Sequence, residues 1–246
     1  MTIFSEIATI TLRALLGRRR TLLMLLLAAI PILVGLLVRA NGRPGAVDIG
    51  AILDGIMIRV VLPLVALVFG TAALGSELED GTAVHLLTKP IRRSTIVLAK
   101  ITVAGTLTAA MLVPSTIIAG LLLAGMLNAR PGVDPVAQVF AIAIGVLVGS
   151  YLYAAIFVAL SIVTSRGLLV GLGYALIWEG ILAGLLPGSQ VFSVREYVRG
   201  IAETIEPAAI ESIVGSTAVV YASIALVAAT VIASLRLAVY EVRGGD

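Results

Sequence analysis

What most constrains this chain is a series of six apolar runs, each about as long as a bilayer is thick, with most of the charge confined between them. A hydrocarbon core about 30 Å deep requires about 20 apolar residues at the 1.5 Å rise of a helix. The runs lie near Thr21 to Val38, Ile52 to Leu74, Ile96 to Leu127, Val136 to Thr164, Leu168 to Leu186 and Thr217 to Arg236. Runs of this length are read as helices, the form that satisfies every backbone group in lipid within one segment. The expected fold is an all-α integral membrane protein with six transmembrane helices in a single domain over residues 1–246. Composition agrees: 60% of residues are hydrophobic and 13% charged, so most side chains cannot face water. The third and fourth runs exceed one crossing and should tilt, bend or project, with Pro114 as the expected bend. Gly145 with Gly149, and Gly167 with Gly171, have the spacing that lets helices approach closely in lipid.

Several kinds of chemistry are excluded early. The chain has no cysteine and a single histidine, His85, which removes disulfides, thiolates and Cys- or His-rich metal sites. It has no G-x-x-x-x-G-K phosphate loop, and indeed no Gly-Lys pair, so it cannot cradle a nucleotide in that way. Ser161, Thr164 and Ser165 are expected to bond helix backbone rather than form a catalytic group. The net charge of +3 serves membrane orientation more simply than nucleic-acid binding. The expectation is a chain that is not an enzyme and holds no metal or cofactor.

Six spans put both termini on one side. Arg13, Arg18, Arg19, Arg20, Lys89, Arg92, Arg93, Lys100, Arg166, Arg236 and Arg243 fall on that side, against Arg39, Arg43, Arg130, Arg195 and Arg199 on the other. The positive-inside rule makes the richer side cytoplasmic, giving a multi-pass protein of the cell membrane, a prokaryotic plasma membrane being the expected one. The first run is longer than a signal-peptide core and lacks a small-residue cleavage site, so it is expected to be retained. Ahead of it, within residues 1–20, Ile3, Phe4, Ile7, Ile10, Ala14 and Leu15 recur at helical spacing, opposite Ser5, Glu6, Thr9 and Arg13. This predicts an amphipathic helix lying in the interface. In the outer connection, residues 187–216, Val194, Tyr197, Val198, Ile201 and Ile205 predict a second amphipathic helix closed by Pro207. A further short helix over Ala208 to Val214 would return the chain to the membrane. These outer helices would either cap an exit or cover the bundle's end.

Two ionisable residues stand out inside the runs, Arg59 in the second and Glu179 in the fifth. A charge at depth costs a few kcal/mol or more without a partner or water. Both lie about seven residues from the outer ends of their runs, roughly 10 Å down. They would either pair, within one chain or across a dimer, or each reach separately to the interface. Tyr174 and Trp178 beside Glu179 are expected to pack. A proton-coupled secondary transporter using Glu179 is the rival reading, but such proteins carry internal repeats and none is evident here.

The remaining concentration of charge is "GSELEDGTAVHLLTKPIRRSTIVLAK", Gly75 to Lys100. Gly81 and Pro90 bracket a short helix, with Glu77, Glu79 and Asp80 before it and Lys89, Arg92 and Arg93 after it, which suits a helix dipole. On these residues alone the segment is either a solvated topogenic loop or a surface for another protein. The order Glu77, Glu79, Asp80, Gly81, Thr82, then His85, Leu86, Leu87, Pro90, Arg93 and Lys100 resembles the loop between the second and third spans of ABC-2 type permeases, which reads E-x-E-x-G-T…L-L…P-x-x-R…K. The topology is similar too. The resemblance implies a membrane subunit of an ATP-driven exporter, paired with a second permease chain, as a homodimer or heterodimer, and with two ABC ATPase subunits that carry the ATP and Mg. It further implies that residues 75–95 hold a coupling helix seated in the ATPase, beside the N-terminal helix. Arg59 and Glu179, in the second and fifth spans, would line the translocation pathway.

Overall fold

The computed structural model describes residues 3–41, 48–79, 92–125, 134–164, 166–183, 188–207 and 209–239, and among them every regular element is helical. The elements are α1 (Ile3–Leu15), α2 (Arg18–Ala40), α3 (Ile49–Leu53), a π-helix π1 (Asp54–Val61), α4 (Leu62–Glu79), α5 (Arg93–Ala124), α6 (Pro135–Val163), α7 (Gly167–Gly173), a second π-helix π2 (Tyr174–Leu182), a 3₁₀ turn (Ser189–Phe192), α8 (Val194–Ile205), another 3₁₀ turn (Gly215–Thr217) and α9 (Ala218–Val239). Helix starts follow side-chain chemistry. Asp48 accepts from the backbone N–H of Gly50 at 2.9 Å and caps α3, and Asp134 does the same for Val136 with Pro135 in the first turn of α6. In α8, Ser193 caps with its hydroxyl facing the Glu196 N–H at 3.4 Å.

The chain is an all-α membrane protein. Among the described residues, five helical stretches are long and apolar enough to cross a bilayer: Arg19–Ala40, Ile49–Gly75, Arg93–Ala124, Pro135–Val163 and Gly215–Val239. Of the expected fifth run, Leu168 to Leu186, the described residues form an apolar helix over Gly167–Leu182, of which the second part is π-helical, about 24 Å long even at the α-helical rise. Pro114 sits inside a continuous 32-residue helix, as Pro31 does inside α2. Near Pro31, where the ring removes a backbone donor, the Ser115 hydroxyl donates across to the Ala28 carbonyl. Buried hydroxyls of Thr71, Thr108, Thr116 and Ser150 bond to carbonyls four residues earlier, as lipid-embedded helices require.

α6 is the central helix, with 67% of its most apolar window buried, whereas the windows of α2 and α9 are 22% and 17% buried. Leu22, Leu26 and Leu37 of α2 and Ile224, Val227 and Leu235 of α9 are each more than half exposed, which places these two helices at the lipid-facing rim. The starts of α2, α5 and α7 and the ends of α4, α6 and α9 share one end of the bundle, called here the terminal end. The distal end holds α3, the start of α6, α8 and residues 209–217.

α8 forms where the sequence predicts it, with Val194, Tyr197, Val198 and Ile201 buried and Ile205 exposed. Its position is not that of a cover laid over the bundle's end. Gly145 and Gly149 of α6 seat Val198, and an added Cβ at Gly145 would lie 2.6 Å from the Val198 carbonyl oxygen. This contact falls ten residues into α6, about 15 Å from its start, so α8 dips into the bundle. The expected short helix at 208–214 is absent from the described residues 209–214, which are irregular. Their backbone is held by side chains instead: Glu203 accepts from the Ser212 N–H, Glu196 from the Ile213 N–H, and Gln138 donates to the Ala209 carbonyl at 2.8 Å.

Candidate functional site

Both residues singled out inside the runs lie on π-helices, a winding uncommon except where function or strain holds it. Glu179 of π2 is 2% exposed. Its carboxylate accepts from the Tyr174 hydroxyl at 2.9 Å, the Ser193 hydroxyl at 2.5 Å and the Val194 backbone N–H at 2.8 Å. Thus it closes the N-terminus of α8, where unpaired N–H groups and the helix dipole both favour negative charge. Tyr153 of α6 is fully buried next to this cluster, with its hydroxyl close to the Glu179 carboxylate.

Arg59 is not among the partners of Glu179. It is exposed on π1 and makes no ion pair among the described residues, so the pairing expected from equal depth does not form within the chain. Depth was the right clue to the cost, but the carboxylate is satisfied by a hydroxyl pair and a backbone donor rather than by a cation. Tyr174, expected only to pack, is one of its ligands.

A second acid, Asp54, which the sequence pattern does not set apart, carries the ion pair. Asp54 begins π1, and Arg195 of α8 reaches it with two nitrogens, Nη2 to Oδ2 at 2.5 Å and Nε to Oδ1 at 3.3 Å. Arg199, one turn on, places Nε 3.7 Å from the same carboxylate and donates through Nη1 to Glu196 at 2.6 Å. The side chains of Arg195 and Asp54 are only 11% and 13% exposed. Burial by itself would draw the Arg195 pKa down, but Asp54, then Glu196 and Glu179, more than offset this and hold it raised. Burial and then the Glu179 charge likewise push the Tyr197 hydroxyl up, so it stays protonated and donates to the Val191 carbonyl at 2.5 Å. The available signal was the placement of Arg195 and Arg199 four apart on an amphipathic helix, with Asp54 just inside a span.

Beside this network opens a cavity of about 550 Å³, walled by Asp48, Asp54 and Arg59 on one side and by Arg199, Ile210 and Glu211 on the other. Among the described residues, no group of three or more His, Cys, Asp or Glu is placed to hold a metal.

At the terminal end, Ile7, Thr11 and Leu15 form the buried stripe of α1, while Ile3, Phe4 and Ile10, expected on the same face, are exposed. α1 packs on α5 and α4. Glu77 and Glu79 fall in the last turn of α4, and Arg93 begins α5. Lys100, two turns further on, is 1% exposed. Asp80, Gly81, Thr82, His85, Leu86, Leu87 and Pro90 lie outside the described residues. Of the hydroxyls expected to bond backbone, Ser161 donates to the Val158 carbonyl and Thr164 accepts from the Arg166 N–H. Ser165 is also outside the described residues.

The sequence pattern of the ABC-2 family transporter proteins matches residues 4–186. The chain belongs to the ABC-2 family. No curated protein matches the chain. The matched region takes in α1, four of the five long stretches, the charged segment and the π-helices. This ABC-2 chain is therefore a multi-pass membrane subunit of an ABC transporter, a family whose members associate with an ABC ATPase. Asp54, Arg59 and Glu179 lie inside the match, whereas Arg195, Arg199 and Glu211 lie beyond it.

Proposed function

We propose that this subunit is the permease of an ATP-driven exporter, working as a homodimer with two ATPase subunits that bind ATP and Mg. The observation that carries the reading is the family match across residues 4–186, which includes the E-x-E-x-G-T pattern at Glu77 to Thr82. Residues 75–95, with α1 beside them, form the surface that docks on the ATPase, and the terminal end faces the cytoplasm of a plasma membrane.

The architecture supplies a route for the work. α4, π1 and α3 run without a break from Glu79 back to Ile49. A push at the end of α4 is therefore delivered as movement of a rigid rod at Asp54, and hence to α8 through Arg195. On the other side Glu179 ties the same helix to π2. In this reading α8 is the part that moves at the distal end, Arg59 faces the pathway, and Glu179 positions α8 rather than touching cargo.

The test is affinity purification of the tagged protein from its native membrane in mild detergent. An ABC ATPase should co-purify, and should be lost from a Leu86→Glu, Leu87→Glu double variant that still folds. Absence of an ATPase from the intact protein in several detergents rejects the reading.

A further inference from the structure

We propose that the distal cavity is a binding site for a zwitterion carrying a phosphate and an ammonium group, the headgroup chemistry of an aminophospholipid. The cavity's charges divide into those already engaged and those left over. Asp54 is neutralised by Arg195 and Arg199, Glu196 by Arg199, and the Asp48 carboxylate caps α3. Two groups on the wall remain without an ion pair among the described residues: the Arg59 guanidinium on π1 and the exposed Glu211 carboxylate on the return segment. They are not paired with each other. Arg199, on the side opposite Arg59, is already engaged with Asp54 and Glu196.

A net anion would find Arg59 but leave Glu211 opposing it, and a net cation would meet the reverse. A zwitterion satisfies both. Phosphate suits the Arg59 guanidinium, whose fork matches its oxygens and binds through charge-assisted hydrogen bonds. The ammonium suits Glu211. The volume of about 550 Å³ is typical of a small-molecule site and leaves room for a glycerol backbone. Val60, the residue after Arg59, is 43% exposed, so the same helix also offers apolar surface for an acyl chain. The proposal names a substrate class for the permease reading and rests on it only for the meaning of the site; binding itself can be measured without any ATPase.

The experiment is native mass spectrometry of the full chain, purified in detergent and offered phosphatidylethanolamine, phosphatidylglycerol or soluble glycerophosphoethanolamine. Wild type should retain phosphatidylethanolamine about tenfold better than phosphatidylglycerol, the scale of one charge-assisted contact. Arg59→Gln should weaken retention of both lipids. Glu211→Gln should remove the preference by weakening phosphatidylethanolamine retention and raising that of phosphatidylglycerol, a result that loss of folding could not give. Binding of soluble glycerophosphoethanolamine at similar strength would identify a free zwitterion as the ligand. Equal retention of both lipids by wild type, or no effect of either substitution, overturns the proposal.

Discussion

At the residue scale, the distal end is held by two acids with different kinds of partner. Asp54 and Arg195 form a mostly buried ion pair, and removing one member leaves the other desolvated and unpaired. Asp54→Ala should therefore lower stability by about 3 kcal/mol, and the Asp54→Ala, Arg195→Ala double variant by clearly less than the sum of the single losses. Thermal unfolding of the detergent-solubilised variants would show this, and strict additivity would mean that the pair contributes nothing. Glu179 is different, because its donors include a backbone N–H that no side-chain truncation removes. Glu179→Ala strands the Val194 N–H and should cost about 2 kcal/mol, with faster hydrogen exchange at the first turn of α8; unchanged exchange there would refute the capping role. These residues also show how far the sequence could be read. It marked Glu179 as costly because a carboxylate inside an apolar run always is. It could not name Ser193 and Val194, since neither a hydroxyl nor a backbone donor stands out in sequence as a counter-charge.

At the scale of elements, α8 was legible and its depth was not. The periodic Val194, Tyr197, Val198 and Ile201 defined a helix, but a helix with one apolar face can lie on lipid or on protein. What decides is the surface of α6, where Gly145 and Gly149 leave a groove that Val198 fills. The glycine spacing was visible in sequence, but the helix it receives was not. Gly145→Ala should destabilise by about 1–3 kcal/mol, since its Cβ would sit 2.6 Å from backbone oxygen and the neighbour cannot rotate away. Gly173→Ala meets nothing within 4 Å and should be neutral or slightly stabilising. If unfolding temperatures did not separate the two variants, α8 would not be seated on α6 as described. The π-winding of Asp54–Val61 and Tyr174–Leu182 was beyond sequence reading, because over two turns an apolar stretch fits either period.

At the scale of the whole molecule, apolar length was enough for the class of fold, and the stretch that length alone does not assign is the short arm Gly167–Leu182. The fold carries that arm from the terminal end to the distal end, where α8 meets Asp54, and a parity argument makes the crossing measurable. Between Glu6 and Ser216 lie four long stretches, Arg19–Ala40, Ile49–Gly75, Arg93–Ala124 and Pro135–Val163, plus the short arm. Four crossings would return Ser216 to the side of Glu6, and five would separate them. The chain has no native cysteine, so single thiols report without background. Both positions are exposed in the fold. Glu6→Cys should react with a membrane-impermeant maleimide only after cells are opened, whereas Ser216→Cys should react on intact cells. Reaction of both only after opening would refute the placement of α8 beside Asp54 at the distal end and remove it from any exit. Opposite labelling would place the polar network of Asp54, Arg195 and Glu179 on the far side from the ATPase, where a rod running from Glu79 to Ile49 can deliver its motion.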